Sequence, residues 1–249
     1  GGPLPPALPA GLGVGVPAFG VDFAANDLDD DPPPTTPAPA MPVPREVAPS
    51  RRAQASVHGS NFFLSGSRNL ARGWKQRAKD NLDAIRLAGE IEAEDRPATT
   101  EEQARLIRFT GFGATDLANG VFRRPGEIEF RKGWDEIGLA LEDAVGEIDY
   151  ASLARCTQYA HFTPELIVRA IWSGLQRLGW RGGRVLEPGV GTGLFPALMP
   201  EDLRDVTHFT GIELDPVTAR IARLLQPRAR ILTGDFARTE LPASFDLAI

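Results

Sequence analysis

Ten residues combine the types and spacing needed to cradle a small ligand on bare backbone: Arg184-Val185-Leu186-Glu187-Pro188-Gly189-Val190-Gly191-Thr192-Gly193. Glycine accepts positive φ and has no Cβ, so a turn built on Gly189, Gly191 and Gly193 lets a ligand approach the main chain closely. The dinucleotide fingerprint G-x-G-x-x-G needs its third glycine at position 194, where this chain has Leu194. That weakens a nicotinamide reading. Twenty residues past Gly193, the run 208–215 closes on Glu213, whose carboxylate can accept hydrogen bonds from both hydroxyls of a ribose. A further apolar run, 229–233, leads into Gly234-Asp235-Phe236, an acid beside an aromatic that can pair with an adenine amine and stack on its ring. Together the three segments imply an adenosine-type ligand.

Strand ends can converge in this way only if strands alternate with helices. Residues 184–187, 208–214, 229–233 and 244–249 read as strands, and the chain as the first half of a doubly wound, Rossmann-like α/β domain. Asp215 before Pro216 caps a helix carrying Ile221, Leu224 and Leu225. Ahead of the first strand, Thr163 is expected to cap a helix with Pro164 in its first position and Glu165 in its first turn. Leu166, Ile167, Ala170, Ile171 and Leu175 of that helix are expected on the sheet. His161 and Phe162 precede the cap and either close over the ligand or form a turn with a surface histidine.

Upstream the pattern is helical. Apolar residues recur at three and four through Leu70, Trp74, Leu82, Ile85 and Ile91, until Pro97 ends the run. Thr99 and Glu102 have the spacing of a capping box, with Ala104, Leu106, Ile107 and Phe109 as the expected buried face. The turn Gly111-Phe112-Gly113 follows and is assigned to packing, and further helices are expected over 133–144 and 149–157. Residues 1–50 hold thirteen of the 22 prolines and no apolar period, so they read as a tail without a core. The first 21 residues are uncharged, but eleven are Gly or Pro and no basic region leads them, which argues against a membrane span or leader. The resulting division is a tail over 1–55, a helical region over 56–157, and the first part of the α/β domain over 158–249.

The motif order resembles that of the S-adenosylmethionine-dependent methyltransferases, and within them the adenine-specific DNA methyltransferases. Residues 187–193 with Phe195 look like their first motif, 211–215 like their second, 234–236 like their third, and 159–164 like the segment that precedes the sheet. From about residue 67 the chain also resembles the opening of large methylase-helicase fusion proteins of phages and mobile elements. The resemblance implies S-adenosylmethionine as cofactor, DNA as partner and a fused helicase region downstream. It implies that Gly189, Gly191 and Gly193 shape the cofactor loop and that Glu187 lies near the methionine amino group. Glu213 would hold the ribose, Asp235 with Phe236 the adenine, and His161, Phe162 and Thr163 the methionine end, with Leu214 also among the cofactor-binding residues. In the family the next strand ends in an Asn/Asp-Pro-Pro-aromatic loop that grips the target amine. Residues 244–249 supply that strand and the sequence stops there, so no catalytic residue is assigned and the chain by itself is expected to be inactive.

Composition adds limits. The one cysteine, Cys156, rules out an internal disulfide, fits a reducing cytoplasm and is read as a buried thiol. His58, His161 and His208 stand far apart without cysteine partners, so no metal site is indicated, and Asp246 is given no chemistry. The net charge of −6 argues against a wholly basic nucleic-acid binder, although residues 51–86 carry eight Arg or Lys against two Asp, interleaved with Phe62, Phe63 and Trp74. That stretch is either a phosphate-facing patch or the solvated face of an amphipathic helix whose stripe is Leu70, Trp74, Leu82 and Ile85. Two other functions fit the same residues: a methyltransferase of this fold acting on RNA, a protein amide or a small molecule, and a non-catalytic DNA-binding or scaffold module.

Overall fold

A computed structural model describes residues 59–124, 126–241 and 244–249. The expected tail, together with Arg51, Arg52 and His58, lies outside the described residues. Four strands form one parallel sheet: β1 (Gly183–Pro188), β2 (Thr207–Glu213), β3 (Arg230–Thr233) and β4 (Leu247–Ala248), in the order β3-β2-β1-β4. Val185 pairs with Phe209 on one side and Leu247 on the other, and Glu213 pairs with Thr233, so the strands end on a common edge. Parallel neighbours need crossovers, and these bear the helices. Between β1 and β2 run the short α6 (Leu194–Ala197) and a 3-10 turn over Glu201–Val206, and between β2 and β3 lies α7 (Pro216–Leu225).

Helix α7 starts as the sequence dictates. Asp215 accepts a hydrogen bond from the Thr218 amide at 2.8 Å, Pro216 occupies the first turn, and Ile221, Leu224 and Leu225 are buried. The helix before the sheet, α5 (Glu165–Arg177), departs from expectation. Thr163 makes no cap hydrogen bond; Pro164 holds the cap position in extended geometry, and Glu165 is engaged by Arg68 at 2.9 Å. Its buried stripe is Val168 and Trp172, whereas Leu166, Ile167 and Ala170 face outward and Ile171 and Leu175 are half-buried. The Trp172 indole fixes that rotation by donating to the Phe195 carbonyl at 2.9 Å.

The preceding helices are α1 (Trp74–Ala93), α2 (Thr100–Leu106), α3 (Thr115–Val121) and α4 (Asp135–Cys156). Helix α1 begins later than the apolar period suggests: Leu70 lies outside it and Trp74 is exposed, while Ala78, Leu82, Ile85, Ala88 and Ile91 form its buried face. The α2 capping box is present in both directions, and Arg96 grips Glu102 through two hydrogen bonds, which holds its carboxyl down to about 2. On α2 the inward polar position is Gln103, and Ala104 is exposed. The Gln103 amide donates to the Ser60 and Leu224 carbonyls, so a glutamine is needed where a methyl group would leave both acceptors dry. The break expected between two helices falls inside α4 at Gly146, whose φ is +71°.

These helices share one continuous core with the sheet, running from Ile85, Ile91 and Phe109 to Ile221, Leu225 and Val185. No helix among the described residues is long and apolar enough to cross a membrane.

Candidate functional site

The glycine turn leaves β1 and doubles back toward β2. The amides of Gly189 and Val190 both donate to the Ile212 carbonyl, at 2.8 and 2.9 Å. Gly189, Gly191 and Gly193 all have positive φ, at +86°, +55° and +80°, the left-handed region that glycine alone enters freely. Their surroundings differ. A Cβ on Gly189 would meet nothing within 4 Å, one on Gly191 would come within 3.0 Å of the Phe162 ring, and one on Gly193 would press on Gln226 at 3.0 Å. Gly189 therefore opens onto space, while Gly193 serves the fold by starting α6 in left-handed geometry.

Carboxylates gather at this edge. Glu187 is 6% exposed, and its Oε2 is buried without a partner. Desolvation holds its carboxyl well above the ordinary value, and the nearby Glu213 pushes it the same way. Glu213 Oε2 accepts from the Gly191 amide and its Oε1 from the Asp215 amide, each at 2.9 Å. Burial still raises its carboxyl, and those amide bonds only partly counter the rise. Asp215, behind them, also accepts from the Ser152 hydroxyl at 2.9 Å, which fastens the end of α4 to the start of α7. The third strand's turn is tied in by the Gly234 amide donating to the Glu213 carbonyl at 2.8 Å, and Asp235 accepts from the Ala237 amide at 2.9 Å.

These groups line a cavity of about 340 Å³. Of the eleven positions singled out in the sequence, ten are on its wall: His161, Phe162, Thr163, Glu187, Gly189, Gly191, Glu213, Leu214, Asp235 and Phe236. Gly193 is not. His161, Leu214 and Phe236 are exposed and Glu187 is buried, so the wall grades from a dry carboxylate at one end to an open aromatic rim.

The wall also holds residues that sequence reasoning placed elsewhere or passed over. Cys156, read as buried, is half-exposed on the cavity, and burial pushes its thiol up. Leu153, one turn earlier on α4, lines the wall beside it. The turn assigned to packing supplies Gly111 and Phe112. A Cβ on Gly111 would come within 2.7 Å of the Phe162 ring, and one on Gly113 would collide with the Ala160 carbonyl. The two glycines thus let residues 160–162 lie flat on the helical layer. The buried Asn81 pins the turn, donating to the Gly111 carbonyl at 2.6 Å and accepting from the Thr110 amide at 2.9 Å. The sequence signal was the close pair of glycines flanking an aromatic; its partner lies some fifty residues downstream.

Among its described residues, the basic and aromatic stretch does not gather into one surface. Arg68 is buried against Glu165, Phe62 lies in the core, and Phe63 is covered by the Arg204 guanidinium 4.0 Å from its ring. Arg72, Lys75, Lys79 and Arg86 are exposed, with Lys75, Lys79 and Arg86 on the outer side of α1, which is the amphipathic-helix arrangement. Among the described residues no cluster of three or more His, Cys, Asp or Glu could hold a metal ion.

Chemically, the site combines glycine backbone, a buried carboxyl (Glu187) and a half-buried one (Glu213) that form no ion pair among the described residues, and apolar walls. It suits a ligand with a cationic group at one end and a flat apolar body at the other.

No family model matches this chain, and no curated protein does. Among solved structures it is similar to a candidate class I S-adenosylmethionine-dependent methyltransferase of Listeria monocytogenes, at 14% identity and TM-score 0.31, over 70% of this chain and 58% of that one. It is similar to the methyltransferase subunit of a type I restriction-modification system from Streptococcus thermophilus, at 13% identity and TM-score 0.30, over 68% of this chain and 43% of that one. A candidate exported protein from Bordetella parapertussis is similar at 15% identity and TM-score 0.28, over 71% of this chain and 60% of that one. The chain spans less than two thirds of each of these proteins, and none of the likenesses is close enough to bear on function.

Proposed function

We propose that this chain carries the methyl-donor site of an S-adenosylmethionine-dependent methyltransferase whose acceptor is the exocyclic amine of adenine in DNA. The supporting observation is the convergence of three parallel strand ends and the 161–163 segment on one cavity of about 340 Å³. The motif resemblance in the sequence supplies the acceptor and, in its wider form, a fused helicase region.

The residues present fit the cofactor. Glu187 presents a buried carboxylate oxygen with no partner, the need that a ligand ammonium would meet. Glu213 has each oxygen held by one backbone amide, so its lone pairs are aimed and its free valences can accept ribose hydroxyls. Phe236 and Leu214 offer apolar faces at the rim to an adenine, with Asp235 beside them. Bound there, S-adenosylmethionine would supply a methyl group on a sulfonium, which transfers by in-line displacement, so the protein's contribution is positioning. No residue is assigned to grip the acceptor amine.

Titration calorimetry with S-adenosylhomocysteine tests the reading without requiring turnover. One molecule should bind per chain, and Glu187→Ala should weaken binding at least tenfold while the protein stays folded. A folded wild-type chain that takes up none of the ligand rejects the proposal.

A further inference from the structure

A second cavity, of about 430 Å³, adjoins the first and shares Ala160, His161 and Phe162 with it. Its charged lining is Arg68, Arg77 and Glu165, with His161 beside them, and Leu70, Ala114, Leu117 and Pro164 give it apolar walls. Arg68 is 7% exposed; its Nε is bonded to Glu165 at 2.9 Å, but its Nη1 is buried with no partner. Arg77 uses its Nε on the Ala71 carbonyl at 2.7 Å, its guanidinium lies 5.1 Å from the Trp74 ring, and its terminal nitrogens make no hydrogen bond among the described residues. A buried guanidinium nitrogen without an acceptor costs free energy that an oxyanion would recover.

The geometry points to this cavity as the seat of a nucleic-acid phosphodiester. Two guanidinium forks against the single carboxylate of Glu165 leave one net positive charge, which the single charge of a phosphodiester cancels. His161 and Pro164 are exposed at its margin, and the apolar walls suit the sugar and base on either side of the phosphate. The inference rests on the methyl-donor reading only in naming the class of its acceptor; its physical basis is Arg68 and Arg77. The shared wall would let an occupied phosphate cavity set the position of Phe162 beside the donor cavity.

The test measures binding of a fluorescent DNA oligonucleotide to the full chain, in parallel with S-adenosylhomocysteine binding, for wild type, Arg77→Gln and the exposed control Arg72→Gln. Arg77→Gln leaves the Arg68 to Glu165 pair intact. It should weaken DNA binding roughly tenfold and lower the slope of log affinity against log salt by about one, while Arg72→Gln does neither. Inorganic phosphate should compete weakly if the phosphodiester is the ligand; tight phosphate binding with no DNA binding overturns the inference in favour of a free phosphorylated ligand. Equal losses in the two variants, or no DNA binding, also overturn it. Loss of S-adenosylhomocysteine binding with intact Arg77-dependent DNA binding rejects the donor reading and leaves this one standing.

Discussion

The carboxylate of Glu213 accepts the Gly191 amide at 2.9 Å, which ties the end of β2 to the turn leaving β1. The other oxygen takes the Asp215 amide at the same distance, so one side chain fixes both the glycine turn and the entry to α7. A glutamine has one oxygen, and its amide group would face a donor on the side that lost the acceptor. Glu213→Gln should therefore destabilise the fold by about 1–3 kcal/mol, partly relieved by removing a desolvated charge. It should weaken S-adenosylhomocysteine binding tenfold or more, while Glu213→Asp keeps the charge but cannot reach both amides. Urea unfolding and calorimetry read the two effects separately, and wild-type affinity in Glu213→Gln would remove Glu213 from the site.

Glu187 gives the site a pH signature. Its folded carboxyl is raised well above 4.5 by burial and by Glu213. Between the unfolded and folded values the native state binds more protons than the unfolded one, so this group's contribution to stability is greatest below 4.5 and falls as pH rises through the folded value. Glu187→Gln should flatten that part of the stability profile and raise stability at neutral pH. A cationic ligand works in the opposite sense, favouring the ionised carboxylate. S-adenosylhomocysteine, which retains the ammonium, should bind more tightly as pH rises over the same window and release a fraction of a proton, measurable as a buffer-dependent binding enthalpy. A binding enthalpy identical in buffers of different ionisation heat contradicts this role for Glu187.

Asp215 is structural, although it also lines the cavity. Its oxygens hold the Thr218 amide and hydroxyl at 2.8 and 2.7 Å and the Ser152 hydroxyl at 2.9 Å. Asp215→Ala removes a helix cap and leaves buried donors without acceptors, so it should cost about 2 kcal/mol or more. Ser152→Ala should cost less, because it removes the donor together with its need, and the double variant should be less destabilised than the sum of the two. Additive losses would mean that the link between α4 and α7 carries no energy.

The strand ends were legible because their signals are local: glycines at fixed spacing, a carboxylate closing each of the first two apolar runs, and Asp215 immediately before Pro216. The capping box at Thr99 and the break near Gly146 were legible for the same reason. What failed needed distant partners. Helix α5 carries apolar residues around most of its circumference, so its period could not distinguish Val168 and Trp172 from Leu166 and Ile167; the bond from Trp172 to Phe195 decides it, across 23 positions. Thr163 lost its expected cap to a proline whose ψ stays extended, and Glu165 found a cation 97 positions away rather than serving the helix end alone. Cys156 reads as a core thiol until Leu153 and the 159–163 segment are seen to leave a cavity beside it.

Asn81 carries the last expectation. It is fully buried, and its amide group satisfies the Gly111 carbonyl while its oxygen satisfies the Thr110 amide, so α1 holds the turn against which Phe162 rests. Asn81→Leu would bury two backbone groups without partners and should destabilise the protein by roughly 2–6 kcal/mol, one to three for each group left dry. Asn81→Asp keeps the acceptor for Thr110 but sets a carboxylate against the Gly111 carbonyl, so it should be no better at neutral pH and should improve on acidification as the acid becomes a donor. Both variants, refolded or assayed at low temperature, should bind S-adenosylhomocysteine less tightly than wild type because the wall behind Phe162 is loosened. Unchanged affinity with reduced stability would confine Asn81 to folding and free the cavity from dependence on the Gly111 turn.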